Sequence, residues 1–575
     1  MTFTRLNIRY AAFWALTFLI TVTGIELGAR LIERVENAVA RRKNPFIESI
    51  NPVSAFKISN DGGSAVIKQS GLHPMMNIDL RPFTLERPKG GLRVFVLGGS
   101  AAAGWPYNKS ETDLSSLLER KLRILYPGRP IEVINVAAGT YASHRVKLIL
   151  EEILHYNPDA IFLYNGNNEF LESLIYRPRN PPPPWDRSSA IRLVYRTVKS
   201  LTVPLPRFEV KNYDIDATVP KSLAFAFSKT SLYREDPRQF KMLLEHYRFN
   251  IDEMVTAAGA LKVPIFLLTC PVNLKDWVPN VSRHRKDLSP EQKTRWIGFF
   301  RDGYLAIERG DYAAAIAPLR AAIALDDEYA EAHYRLGESL MRTGQRTEAK
   351  AEYLLALQRD AFPFRELPEF QDILKDVAMR RGVPLVDIVK PLEALAGDGI
   401  LGLDILIDYC HLTERSQEIV AQEMASALLK RGLLQGVSAA DVERTRIDMS
   451  SKFRPSLDVD IAQSLYRSAM DMQQYERIDA LYEKTIASSS RALKEDPATA
   501  ENARSLISIL PDIHRVLSAY RDLRRAQKLG LLDLTYTPED ANRIFSAYRE
   551  MMYQVNSRYL SRDEFDRKTP VTLPQ

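Results

Sequence analysis

A small set of residues in this sequence is suited to one kind of chemistry. The stretch VFVLGGSAAAG, residues 94–104, ends an apolar run in Gly98, Gly99 and Ser100. Farther on, NVAAG closes on Gly139, GNNEF contains Asn168, and DYCH places Asp408 three residues before His411. A serine hydroxyl is a poor nucleophile until a base takes its proton. His411 is the candidate base, and Asp408 is the candidate partner that fixes the imidazole tautomer and stabilises its charged form. A developing oxyanion needs hydrogen-bond donors placed in advance. The backbone N–H groups of Ser100 and Gly139 and the side-chain amide of Asn168 are the candidates. Together these parts would perform acyl transfer through an acyl-Ser100 intermediate.

Each residue also has a plainer role. A serine after a strand commonly caps a helix. GGSAAAG is as glycine-rich as a phosphate loop, but neither Gly-Lys-Ser nor G-x-G-x-x-G is present. His411 alone would pass for a core or surface histidine, Asn168 for a turn cap, and Gly139 for a strand-to-helix turn. What favours the catalytic reading is their placement, with most of them directly after an apolar run.

Those runs are the elements that must hold the site. They fall at 94–97, 131–136, 160–164, 263–269 and 383–388. Helical stripes separate them, such as Leu114, Leu117, Leu118, Leu122 and Leu125, or Val146, Ile149, Leu150, Ile153 and Leu154. Buried strands alternating with helices predict an α/β fold with a doubly wound five-stranded parallel sheet. Sites in such sheets lie at the carboxyl ends of the strands. Asn273 and Asp276 follow the fourth run and are possible substrate contacts at the same edge. A helix over 413–431 would follow His411. His144 and His246 have no partner visible in the sequence, and Glu151, Glu152 and Asp159 read as helix-surface charges.

The order Ser, Gly, Asn, then Asp-x-x-His resembles the four-block pattern of the SGNH (GDSL-type) hydrolases. VFVLGGS matches the first block, NVAAG the second, GNNE the third and DYCH the last. The resemblance implies Ser100 as nucleophile, Gly139 and Asn168 as oxyanion donors with Ser100, and Asp408 and His411 as the rest of the triad. YNGNNEF, PVNLKDWVPNVSRH and FRELPEFQDILKDVAMRRGVPLVD are similar to a membrane-anchored bacterial subgroup with an inserted repeat. Two positions depart from the pattern: Gly99 and Glu169 stand where the family usually has Asp.

The 575-residue chain is longer than one core usually serves. Its expected parts are a membrane anchor at 1–32, an irregular lead-in at 33–90, an SGNH-like domain in two parts at 91–295 and 363–435, two repeats at 296–362, and a helical region at 436–575. The repeats rest on a 34-residue period: Gly303, Gly310, Ala315 and Ala322 recur as Gly337, Gly344, Ala349 and Ala356. That period resembles the tetratricopeptide repeat, and two copies are expected to lean on the α/β domain. They and the C-terminal helices, striped by Ile461, Leu465, Ala469 and Met472, are the expected protein-partner surfaces. The Pro-rich start of 171–240 suggests a lid.

Net charge is +6, from 78 basic and 72 acidic residues, too mild over this length to indicate nucleic acid. Two cysteines, Cys270 and Cys410, exclude a disulfide framework and a CxxC metal site. A bond between the two, or two separate buried thiols, both stay open. No cofactor or metal is expected. The uncharged run Tyr10 to Ile25 reads as an uncleaved membrane helix. The basic residues after it argue against an external bulk; the family resemblance implies an inner-membrane, single-pass chain with its bulk in the periplasm. The expected function is thus an envelope esterase or O-acyltransferase acting on an acylated small molecule, glycan or lipid. The alternative is a weakly active or inert scaffold of the same fold.

Overall fold

The computed structural model describes residues 17–32, 56–61, 64–69, 82–107, 112–139, 141–170, 237–447 and 478–495, with isolated positions outside those stretches. The five apolar runs form one parallel sheet: β4 (Leu92–Gly98), β5 (Ile131–Asn135), β6 (Ala160–Tyr164), β7 (Ile265–Leu268) and β8 (Leu385–Val386). Their order is β5-β4-β6-β7-β8. The chain therefore leaves β4 in one direction to β5 and returns past it to β6. Such a reversal opens a crevice at the carboxyl ends of the two diverging strands.

β4 shows why these runs lack polar alternation. Val94 and Val96 pack with Leu117, Leu118 and Met424 on one face, under the helices Leu114–Leu125 and Glu414–Lys430. Phe95 and Leu97 pack on the other face with Val146, Ile149, Tyr247 and Phe370, under helices Ser143–Ile153, Pro237–Ala260 and Pro368–Arg381. With both faces covered, both sets of side chains must be apolar.

The expectation of an irregular lead-in is corrected. Phe56–Asp61 (β1), Ser64–Gln69 (β2) and Phe83–Thr84 (β3) form a small antiparallel sheet. The Asp-Gly-Gly between β1 and β2 is a hairpin signal that the sequence carried openly. This sheet is pinned to the domain by Arg93, which is fully buried. Its guanidinium donates to Thr84 O at 2.8 Å and Tyr156 O at 2.7 Å and pairs with Glu132 at 2.7 Å. Glu152 and Asp159 are likewise not surface charges in function: Glu152 is buried and accepts the Phe56 N–H, and Asp159 accepts the Arg93 N–H.

The repeats form two helix pairs, Pro290–Glu308 with Tyr312–Leu325 and Ala330–Arg342 with Arg346–Arg359. The 34-residue period has a steric cause. A Cβ added at Gly303 would lie 2.6 Å from Leu319, and one at Gly337 would lie 3.0 Å from Tyr353, so each glycine lets its two helices cross closely. As expected, the pairs lean on the α/β domain and share its core. The Ala330–Arg342 helix is buried along most of its length, and its Tyr334 hydroxyl donates to Lys275 O at 2.8 Å.

Residues 17–32 are helical and expose Phe18, Leu19, Ile20 and Leu31. Among the described residues no helix is long and apolar enough to cross a membrane; most of the run before residue 17 lies outside them. The helices Ala439–Arg444 and Ile478–Glu495 belong to the C-terminal region. Apart from Ala190, the lid stretch up to residue 236 lies outside the described residues, as does the stripe Ile461, Leu465, Ala469 and Met472.

Candidate active site

Four turns meet at the carboxyl edge of the sheet. The first is Gly98-Gly99-Ser100. Gly98 has φ +150°, and a Cβ there would lie 1.9 Å from Tyr164 O, so only glycine lets β4 end this close to β6. Ser100 then opens the four-residue helix Ser100–Ala103, which puts its side chain at the edge rather than in the core. That short helix is held from behind: Asn135 Nδ2 donates to Ala103 O at 3.2 Å, and Gln417 Nε2 donates to Gly104 O at 3.1 Å.

The second turn follows β5. Val136 and Ala138 extend the strand pairing by donating to Val96 O and Gly98 O, which delivers Gly139 beside the first turn. Among the described residues, a Cβ at Gly139 would meet no atom within 4 Å. The third turn follows β6. Asn168 is buried, and its amide donates to Tyr141 O at 3.0 Å. The same amide nitrogen lies 2.3 Å from where a Cβ on Gly99 would stand. Gly99, Tyr141 and Asn168 thus bring three turns into mutual contact.

Glu169 locks the second turn to the third. Its carboxylate accepts the Ser143 N–H and hydroxyl, both at 2.8 Å, and the Asn165 amide at 3.2 Å. Ser143 begins the Ser143–Ile153 helix, whose N-terminus favours a negative charge. Glu169 is therefore part of the site's frame.

The fourth turn carries the acid and the base. Asp408 is fully buried; one carboxylate oxygen accepts the backbone N–H groups of Cys410 and His411 at 2.9 Å each. The other accepts the His411 Nδ1–H at 2.6 Å. That leaves His411 Nε2 as the acceptor for the Ser100 hydroxyl, 2.8 Å away. The turn is closed by the Leu406–Leu412 bridge and by Thr413, which caps the Glu414–Lys430 helix one residue from its expected start. The Trp105 ring lies 4.6 Å from the His411 ring, centre to centre.

Ser100, Gly139, Asn168, Asp408 and His411 thus all lie at this edge. Asn273 and Asp276, the possible substrate contacts, both bond to the protein itself. Asn273 is fully buried; its amide donates to Asp408 O at 2.9 Å, and its side-chain oxygen accepts the Asp276 N–H. The Asp276 carboxylate accepts the Leu403 N–H at 2.8 Å. A polar pair after a strand looks the same in sequence whether it faces substrate or braces a loop, and here it braces the acid loop. Cys270 and Cys410 are free and buried, and burial pushes both thiols well above their ordinary range. His144 and His246, on helices Ser143–Ile153 and Pro237–Ala260, stand with ring centres 5.9 Å apart.

The fold and the site define an α/β protein with a Ser–His–Asp triad at the carboxyl edge of a parallel sheet. Residues 303–344 match the family model described as TPR repeat. A search of curated proteins found no match. Solved structures similar to this chain include an alpha/beta hydrolase from the metagenome of Lake Arreo, Spain (13% identity, TM-score 0.26, covering 60% of this chain and 98% of that one). An acetyl xylan esterase is similar at 10% identity and TM-score 0.27, over 59% of this chain and 100% of its own. A GDSL-like lipase from Bacteroides thetaiotaomicron is similar at 10% identity and TM-score 0.26, over 60% and 92%.

Proposed function

We propose that this protein is a serine acyl-ester hydrolase of the SGNH type, or an O-acyltransferase built on the same intermediate. The observation that supports it is the hydrogen-bond line from Asp408 through His411 to Ser100 at the sheet's carboxyl edge. In this reading His411 Nε2 takes the Ser100 proton as Oγ attacks the ester carbonyl. The N–H groups of Ser100 and Gly139 and the Asn168 amide receive the oxyanion. His411 then protonates the leaving alcohol, and the acyl group rests on Ser100. Water releases it as an acid; a sugar hydroxyl in the same place would carry it away as a new ester.

The placement we propose is an inner-membrane anchor with the bulk of the chain in the periplasm, acting on acylated envelope glycans, lipids or small molecules. The exposed apolar side chains along 17–32 support the anchor. The repeat match supports a protein partner. Since the Ala330–Arg342 helix is buried, that partner would meet the outer helices Tyr312–Leu325 and Arg346–Arg359 or the C-terminal helices.

The test is labelling of the folded protein by a serine-reactive fluorophosphonate. Labelling is expected in the wild type and absent in Ser100→Ala. Labelling that persists in Ser100→Ala, or never occurs in folded wild type, would overturn the enzyme reading in favour of the scaffold. Protease accessibility after outer-membrane permeabilisation checks the placement, which a protected C-terminal region would refute.

A further inference from the structure

Two charged residues that the triad chemistry does not use are almost wholly enclosed. Arg365 is 2% exposed and Glu366 is 1% exposed. They are neighbours on the segment by which the chain returns from the repeats to the sheet. Burying charge is unfavourable unless each group is paired and hydrogen-bonded, so their contacts matter.

Arg365 reaches toward the acid half of the site. Its Nη1 donates to Asn273 O at 2.7 Å and to Trp277 O at 3.0 Å. Asn273 in turn donates from its backbone to Tyr409 O at 3.0 Å and from its amide to Asp408 O at 2.9 Å. The counter-charge is Asp360, fully buried just past the last repeat helix, 3.6 Å from Arg365 Nη2. Asp360 also accepts the N–H groups of Asn280, Val281 and Phe362.

Glu366 reaches toward the oxyanion half. Its backbone N–H donates to Asn167 Oδ1 at 2.9 Å, one residue from Asn168. Its carboxyl lies against Gly166, where a Cβ would stand 2.0 Å from Oε1. Gly166 is therefore glycine because the Glu366 carboxyl occupies its side-chain space. Burial holds that carboxyl well above its ordinary range.

We infer that the return segment from Asp360 to Glu366 braces the active site from both sides, with Arg365 a positioning residue for Asp408 and Glu366 a positioning residue for Asn168. The repeat insert is then tied to the reaction centre through this segment, since Asp360 ends its last helix. The inference rests on the proposal that Ser100 is the nucleophile.

The test uses the full-length protein with variants Arg365→Met, Asp360→Asn/Arg365→Met, Glu366→Ala and Glu366→Gln. Fluorophosphonate labelling rate, kcat and KM on a small acyl ester, and Tm are measured on each. Arg365→Met is expected to lower Tm and to slow labelling and kcat by roughly 10- to 100-fold, since displacements near 1 Å have effects of this size. The double variant removes both buried charges, so Tm recovers while labelling stays slow and KM stays unchanged. Glu366→Ala, which keeps the backbone bond to Asn167 but empties the space against Gly166, slows labelling to a similar degree, and Glu366→Gln, which keeps the shape of the side chain, restores it. Wild-type labelling rates in the double variant or in folded Glu366→Ala would overturn the brace. A readout without turnover separates this from failure of the Ser100 reading: the far-downfield proton of the His411–Asp408 hydrogen bond, followed by NMR. If the wild type is not labelled, a shift of that proton in the double variant still supports the acid-side brace, and an unmoved proton overturns it.

Discussion

Gly99→Ala is the sharpest single perturbation of this site. A Cβ there would stand 2.3 Å from Asn168 Nδ2 and 3.2 Å from Tyr141 O, whereas ordinary contacts begin near 3.4 Å. The amide must therefore retreat by roughly 1 Å, and a shift of that size in a catalytic group lowers rates about 100-fold. Losing an oxyanion donor outright has a similar effect, about 100- to 1000-fold, or roughly 3–4 kcal/mol of transition-state stabilisation. The backbone itself tolerates alanine, because Gly99 has φ −86°. As the cap of the four-residue Ser100–Ala103 helix it should lose about 1 kcal/mol by the change. The expected result is a variant that folds with a small change in Tm, keeps its KM for a small acyl ester, and loses kcat by about two orders of magnitude. Fluorophosphonate labelling should slow in parallel. Gly99→Asp should be no better, because its Cβ meets the same amide. A kcat within about threefold of wild type in Gly99→Ala would refute the oxyanion role of Asn168. So would a loss confined to KM.

Two further outcomes follow from the frame around the site. Glu169→Gln turns one acceptor oxygen into a donor that faces the Ser143 and Asn165 donors. It should cost about 1–3 kcal/mol in chemical unfolding and lower kcat; unchanged stability would remove Glu169 as the lock. Burial pushes the Asp360 carboxyl from its ordinary 3.8 up to about 6. A raised folded-state pKa gives a contribution that is complete below the unfolded value and lost as pH rises through the folded one. Relative to Asp360→Asn, the wild type should therefore lose about 3 kcal/mol of stability between about pH 4 and pH 7. Parallel pH–stability profiles for the two would refute that account.

Much of the sheet was legible because burial on two faces leaves a plain mark. Runs such as VFVL and AIFLY cannot alternate with polar residues, and each runs straight into a turn carrying Gly, Asn or Ser. The 34-residue repeat was legible for a similar reason, since close helix crossings need Gly303 and Gly337 at equivalent places. The lead-in sheet left only a short mark in the sequence, the Asp-Gly-Gly at residues 61–63. Asn273, Arg365 and Glu366 were illegible in a different way. Their partners are 135, 92 and 199 residues away along the chain, and nothing local marks a polar side chain as a brace.

The sequence by itself determined the kinds of groups that meet at the sheet edge and the order in which the strands present them, because hydrophobic periodicity and turn chemistry are local. Only the tertiary structure decided which of those groups touch. The 2.8 Å contact between His411 and Ser100 spans 311 residues and depends on β4 ending where the acid turn closes. Gly99 illustrates the division. In the sequence it is one glycine of a turn; in the fold it leaves the space that the Asn168 amide fills.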